Sequence, residues 1–118
     1  MERIKYSNEK LEKVFSDARL ILKKCGQQLA KQLINRLEQL KSFECVYDLL
    51  KAPIDKPHLL EGDFEGCIAW SITGNIRLIL DTGLNKNPEN QSIFKEFKEI
   101  IIKGVVDYHG KKNNWIIC

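Results

Sequence analysis

The stretch VVDYHGKK, residues 105–112, sets a carboxylate, a phenol and an imidazole side by side near the C-terminus: Asp107, Tyr108 and His109. The only other histidine of the chain, His58, follows Asp55-Lys56-Pro57. Both histidines have basic neighbours, Lys51 and Lys56 near the first and Lys103, Lys111 and Lys112 near the second. Arg77 falls in the middle of an apolar run, IRLIL. These residue types suit metal-free cleavage of RNA. That reaction needs a base for the ribose 2′-hydroxyl, an acid for the departing 5′-oxygen and cations for the charge developing on phosphorus. Imidazole, with an ordinary pKa of about 6.5, can serve as base or acid. A guanidinium fork fits phosphate oxygens, and a tyrosine can stack on a base or assist proton transfer. Each group also has a plainer explanation. Asp107-Tyr108-His109 can be a polar strand end, Arg77 a solvent-facing edge residue, and Lys23, Lys24, Lys95 and Lys98 solvated faces.

The elements that position these groups follow from the apolar periods. RIKYSN alternates and suggests a first strand, after which Ser7 or Asn8 can cap a helix. Leu11, Val14, Phe15, Ala18, Ile21, Leu22 and Cys25 recur at helical spacing, which predicts one helix ending at Gly26. A second helix runs from about Gln27 to Leu40 on Ala30, Leu33, Ile34, Leu37 and Leu40. SFECVYDLLK reads as a short helical turn, and Pro53 and Pro57 mark a loop.

From there the period becomes that of strands. HLLEGD ends in a Gly62-Asp63 turn signal. CIAWSIT alternates, with Ile68, Trp70 and Ile72 on one face and Cys67, Ala69, Ser71 and Thr73 on the other. Gly74-Asn75 reads as a two-residue hairpin turn into IRLIL. That register sets Thr73 opposite Ile76 and Ile72 opposite Arg77, which places Arg77 beside Trp70 rather than Ser71. Residues 82–92 form a polar excursion, IFKEF can add a helical turn, and EIIIKGVVDYH makes the last strand. Alternation separates Tyr108 from Asp107 and His109, so a strand end or bulge must splay the three to gather them. The expected class is α+β, helices packed on one face of a small twisted antiparallel sheet.

Composition bounds the rest. With 118 residues the chain suits one domain, which buries about 65% of its unfolded surface without staples. With 43% hydrophobic and 30% charged residues it reads as globular and soluble, not disordered. A net charge of +3 is compatible with a polyanionic partner. The 4 cysteines, Cys25, Cys45, Cys67 and Cys118, show no CxxC spacing, which argues against a zinc site or disulfide framework. No metal or cofactor is expected. The N-terminus lacks a signal-peptide core and no apolar run reaches membrane-spanning length, so the expected location is cytoplasmic and off the membrane.

Four colinear stretches carry a resemblance. IKYSNEKLEKVF, LINRLEQLKSFECVYDL, HLLEGDFEGCIAWSITGNIRLIL and VVDYHG together resemble, from about residue 3 to residue 110, the HigB-type plasmid maintenance killer toxins of the RelE/ParE superfamily. The resemblance implies a RelE-like fold over residues 1–110, with an N-terminal strand and two helices against the sheet, and residues 111–118 as an extension. It implies a toxin that cuts messenger RNA in the ribosomal A site without a metal. The implied partner is a HigA-like helix-turn-helix antitoxin, with a heterotetramer as the assembly it suggests. Carried over by position, His58, Arg77, Asp107, Tyr108 and His109 fall in the catalytic site. His58 and His109 are then the proton carriers, Arg77 the phosphate ligand, Tyr108 a base-positioning group and Asp107 an orienting one. Lys56, and with it Lys111 and Lys112, are expected to meet RNA phosphates. The alternatives are a ParE-like toxin that poisons DNA gyrase without cleaving RNA, and an inactive paralogue that only binds an antitoxin. The apolar Trp115, Ile116 and Ile117 of the extension can cover the core, cover the cleft or meet a partner.

Overall fold

Asn8 opens α1 (Glu9–Phe15) by accepting the Leu11 N–H at 2.9 Å. The apolar stripe that begins here predicted one long helix, but the chain turns at Ser16-Asp17 and starts again as α2 (Ala18–Cys25). Asp17 is the cause. Its carboxylate accepts the Arg19 N–H at 2.9 Å, a role that suits aspartate better than a helix interior. That bond holds the Asp17 carboxyl below its usual range. Ala18 and Leu22, expected in the core, are exposed as a result. Gly26, with φ +80°, separates α2 from α3 (Gln27–Ser42), and α4 (Val46–Leu50) follows. The computed structural model of the chain describes residues 1–109 and 112–118, with His109, Lys112 and Asn113 described at the backbone only.

Six strands form one sheet: β1 (Arg3–Tyr6), β2 (His58–Leu59), β3 (Cys67–Thr73), β4 (Ile76–Asp81), β5 (Glu99–His109) and β6 (Lys112–Ile117). Their order is β1-β5-β4-β3-β2, with β6 also on β5. The protein is therefore α+β. The sheet is mixed rather than wholly antiparallel, because β1 runs parallel to β5 through Arg3–Glu99 to Tyr6–Ile102. β6 pairs residues 105–109 of β5 and β1 pairs residues 99–102, so the two strands share one edge of β5 end to end. The extension is thus part of the sheet. A short 3-10 helix at Gly62–Phe64 stands at the expected turn, and another at Gln91–Glu96 supplies the helical turn expected at IFKEF, beginning two residues earlier.

The two faces of the sheet are unlike. Ile68, Trp70, Ile72, Leu78, Leu80, Ile100, Ile102, Val105 and Ile117 join helix residues such as Leu11, Ile21, Leu33 and Leu40 in the main core. Each fully buried aliphatic side chain there contributes about 1.5–3 kcal/mol. On the other face Cys67, Ala69, Ile79 and Val106 form a small second cluster under Leu60, Phe64 and Tyr108, with no residue of α1–α4 in it. The alternation of β3 is as its sequence predicts. Among the described residues no helix is long and apolar enough to cross a membrane.

Candidate active site

The β3–β4 hairpin departs from the expected register by one residue, and that residue decides the site. Thr73 faces Ile76 as expected, but Ser71, not Ile72, faces Arg77. Ile72 is the extra residue of a β-bulge, and it stays in the main core at 6% exposure. The unbulged pairing would drive a guanidinium in beside Trp70, where a buried charge needs a partner. The bulge sends Arg77 to the outer face instead. His58 pairs with Ala69, so it shares that face with Ser71 and Arg77.

Pro53, Asp55, Lys56, His58, Ser71 and Arg77 together line an open cleft of about 480 Å³. Arg77 is half-buried and tethered through Nη1, which donates to Ser71 Oγ (3.2 Å), Gly74 O (2.5 Å) and Ile76 O (3.2 Å). All three acceptors meet one nitrogen, whose two hydrogens must share them, and Nε and Nη2 make none of these bonds. His58 is exposed, and its Nδ1 lies 3.1 Å from Lys56 O. A carbonyl can only accept, so Nδ1 carries the proton of this bond. The neutral ring then presents an Nε2 lone pair.

The loop before His58 is held in an unusual conformation. Asp55 and Lys56 have φ of +53° and +44°, a left-handed region that costs non-glycine residues about 1 kcal/mol or more each. Core residues compensate. Arg36 of α3, 8% exposed, bonds Asp55 Oδ2 and Gln39 Oε1, and its guanidinium stacks 4.8 Å from the Trp70 ring centroid. Trp70 Nε1 donates to Ile54 O at 2.9 Å. Arg36 and Trp70 thus support the cleft from beneath. Sequence reasoning missed this role, though Arg36 stands three residues after Leu33 and four before Leu40, on the buried face of its helix.

Tyr108 lies on the same outer face, packed against the second cluster. Burial raises its phenol pKa above the usual range, with the nearby Arg77 pulling the other way and Cys67 adding to the rise. Asp107 does not join the cleft. It is half-buried and pairs with Ile76 and Asn114, on the face opposite Arg77, Val106 and Tyr108. His109 closes β5 opposite Lys112 at the backbone, and the side chains of both lie outside the described residues, as does Lys111 entirely. Of the residues expected to act, the fold therefore brings His58, Lys56 and Arg77 into one cleft, and places Tyr108 on the same face. Cys118 is exposed and Cys45 and Cys67 are buried, all three as free thiols. Among the described residues no group of three or more His, Cys, Asp or Glu side chains could hold a metal ion.

Compared with known proteins, the chain matches no family model, no curated protein and no solved structure.

Proposed function

We propose that the protein is a HigB-type toxin with a RelE-like fold, a metal-independent endoribonuclease that cuts messenger RNA on the ribosome. The observation that carries this reading is the bulge at Ile72, which turns Arg77 onto the face of His58 and into one cleft with Lys56 and Ser71. His58 Nε2 takes the proton of the ribose 2′-hydroxyl. The 2′-oxygen attacks phosphorus and the bond to the 5′-oxygen breaks, leaving a 2′,3′-cyclic phosphate and a 5′-hydroxyl end. The proton for that 5′-oxygen is assigned to His109, whose backbone follows Tyr108 at the end of β5. Arg77 and Lys56 meet the non-bridging phosphate oxygens, where fixed cations act most strongly on developing charge. Tyr108 keeps its proton at neutral pH and positions a base from the same face. The protein acts in the cytoplasm and is silenced by a HigA-like antitoxin that binds it in a heterotetramer.

The test is primer extension on a defined messenger RNA incubated with the purified protein, with and without translating ribosomes, beside His58→Ala, His109→Ala and Arg77→Ala. Ribosome-dependent cuts within codons that vanish in the variants are the expected result. Intact message with the wild-type protein overturns the nuclease reading and favours a binding-only toxin.

A further inference from the structure

The extension contributes an aromatic surface that the cleavage chemistry does not use. Ser71 pairs with Arg77, Arg77 with Val106 and Val106 with Trp115, so one transverse row crosses β3, β4, β5 and β6 on the outer face. Adjacent strands lie about 4.8 Å apart, which puts the Arg77 and Trp115 backbones roughly 10 Å from each other. Trp115 contacts Phe64 with ring centroids 6.0 Å apart and planes tilted by 59°. It nevertheless remains 37% exposed, whereas the cluster beside it is sealed. Part of the indole is therefore open to solvent on the same face as Arg77, whereas Trp70 on the other face is fully covered. Tyr108 stands two residues along β5 from Val106 on the same face, half-exposed toward the same region.

We propose that Trp115, aided by Tyr108, is a stacking platform for a base of single-stranded RNA next to the phosphate held at Arg77. The proposal rests on the RNA-cleaving function above and gives the strand its path out of the cleft. The charge that would draw a nucleic acid lies at the cleft, one end of this row. Lys56 and Arg77 line the cleft at one end of the path. Asp63 and Glu65, the chain neighbours of Phe64, line a polar recess with Asp81, Lys103 and Cys67 of the second cluster, and these carboxylates repel a polyanion from that end of the outer face. Aromatic faces accept any base, which suits a strand whose sequence changes from message to message.

The test uses the full chain, a cleavage-resistant 2′-O-methyl oligouridylate and an abasic strand of the same length, at low salt. Binding is read by anisotropy of a terminal dye and by tryptophan fluorescence. The base-bearing strand should quench the wild-type protein but not Trp115→Phe, in which only the buried Trp70 emits. Trp115→Ala should weaken binding about 10-fold, Trp115→Phe should restore most of it, and the abasic strand should bind the wild type with the weakened affinity. Equal binding of both strands, or unchanged binding by Trp115→Ala, overturns the platform while leaving the cationic cleft intact. Failure of both strands to bind the wild type overturns the platform, while the RNA reading of the cleft is decided by the cleavage assay on translating ribosomes. A self-associated wild type that Trp115→Ala dissolves in sedimentation, with RNA affinity unchanged, assigns the surface to a second copy and overturns the proposal.

Discussion

Ser71 and Arg77 stand directly opposite each other across β3 and β4, joined by a 3.2 Å hydrogen bond from Nη1 to Oγ. A regular two-residue hairpin forbids this pairing. It exists because one residue, Ile72, is accommodated as a bulge. Every side chain of β4 beyond the turn depends on that insertion, since a slip of one residue exchanges the faces.

Arg77 is the residue on which this geometry bears most. Arg77→Ala should lower the rate of RNA cleavage by about 100-fold or more, the usual loss for a fixed group that meets transition-state charge. Arg77→Lys keeps the charge but not the fork, and should recover only part of it. Calorimetry should find both variants folded, with Tm lowered by no more than about 4 °C. A collapse of the fold in Arg77→Lys would show that the guanidinium is chiefly structural.

Arg36 should act on the cleft without touching RNA. Arg36→Met fills much of the same space beside Trp70 but releases Asp55, so the left-handed turn at Asp55-Lys56 loses its main support. Cleavage should fall about 10-fold, because misplacement by an ångström costs that much or more. The loss should appear together with faster amide exchange at residues 54–58. Unchanged exchange in that loop would sink the supporting role.

Gly104 decides whether the extension can dock. Its φ is +142°, and a Cβ there would sit 2.1 Å from Ile117 O. Gly104→Ala should therefore displace the end of β6 and expose Ile117, now 4% exposed in the main core. Losing that burial costs about 2 kcal/mol. Denaturant unfolding should report the loss, and Trp115 emission should shift to longer wavelength. An unshifted spectrum would mean that β6 is held elsewhere.

Alkaline titration tests the environment of Tyr108. Its folded-state pKa is raised, first by burial, so the stability this implies is present at neutral pH. It is lost only as pH climbs past the ordinary phenol value of about 10 and through the folded one. Arg77 opposes the rise, so Arg77→Ala should move the transition further up. Ultraviolet difference spectra can follow it once Tyr6 and Tyr47 are replaced by phenylalanine. A downward movement in Arg77→Ala would contradict an Arg77 charge close to the Tyr108 phenol.

The sequence by itself determined the class of fold and the faces of the strands. The period of two in CIAWSIT was enough to send Ile68, Trp70 and Ile72 to the core and Cys67 and Ala69 to the other side, because side-chain direction in a strand is a local property. It also supplied His58, Lys56 and Arg77 as residues fit for phosphate chemistry. Where it misled, a local preference was overruled by a nearby one or by packing. Asp17 interrupted a stripe whose apolar spacing was intact, since a side-chain cap competes with continuing the helix. The face of Arg77 was beyond any pattern, because a bulge is settled by what the core will accept. The Trp70 ring already carries the Arg36 guanidinium over its face, and a second buried charge beside it would need a partner of its own. The support that Arg36 lends to Asp55, and the row from Ser71 to Trp115, join residues far apart in the chain. Only tertiary structure could bring them together.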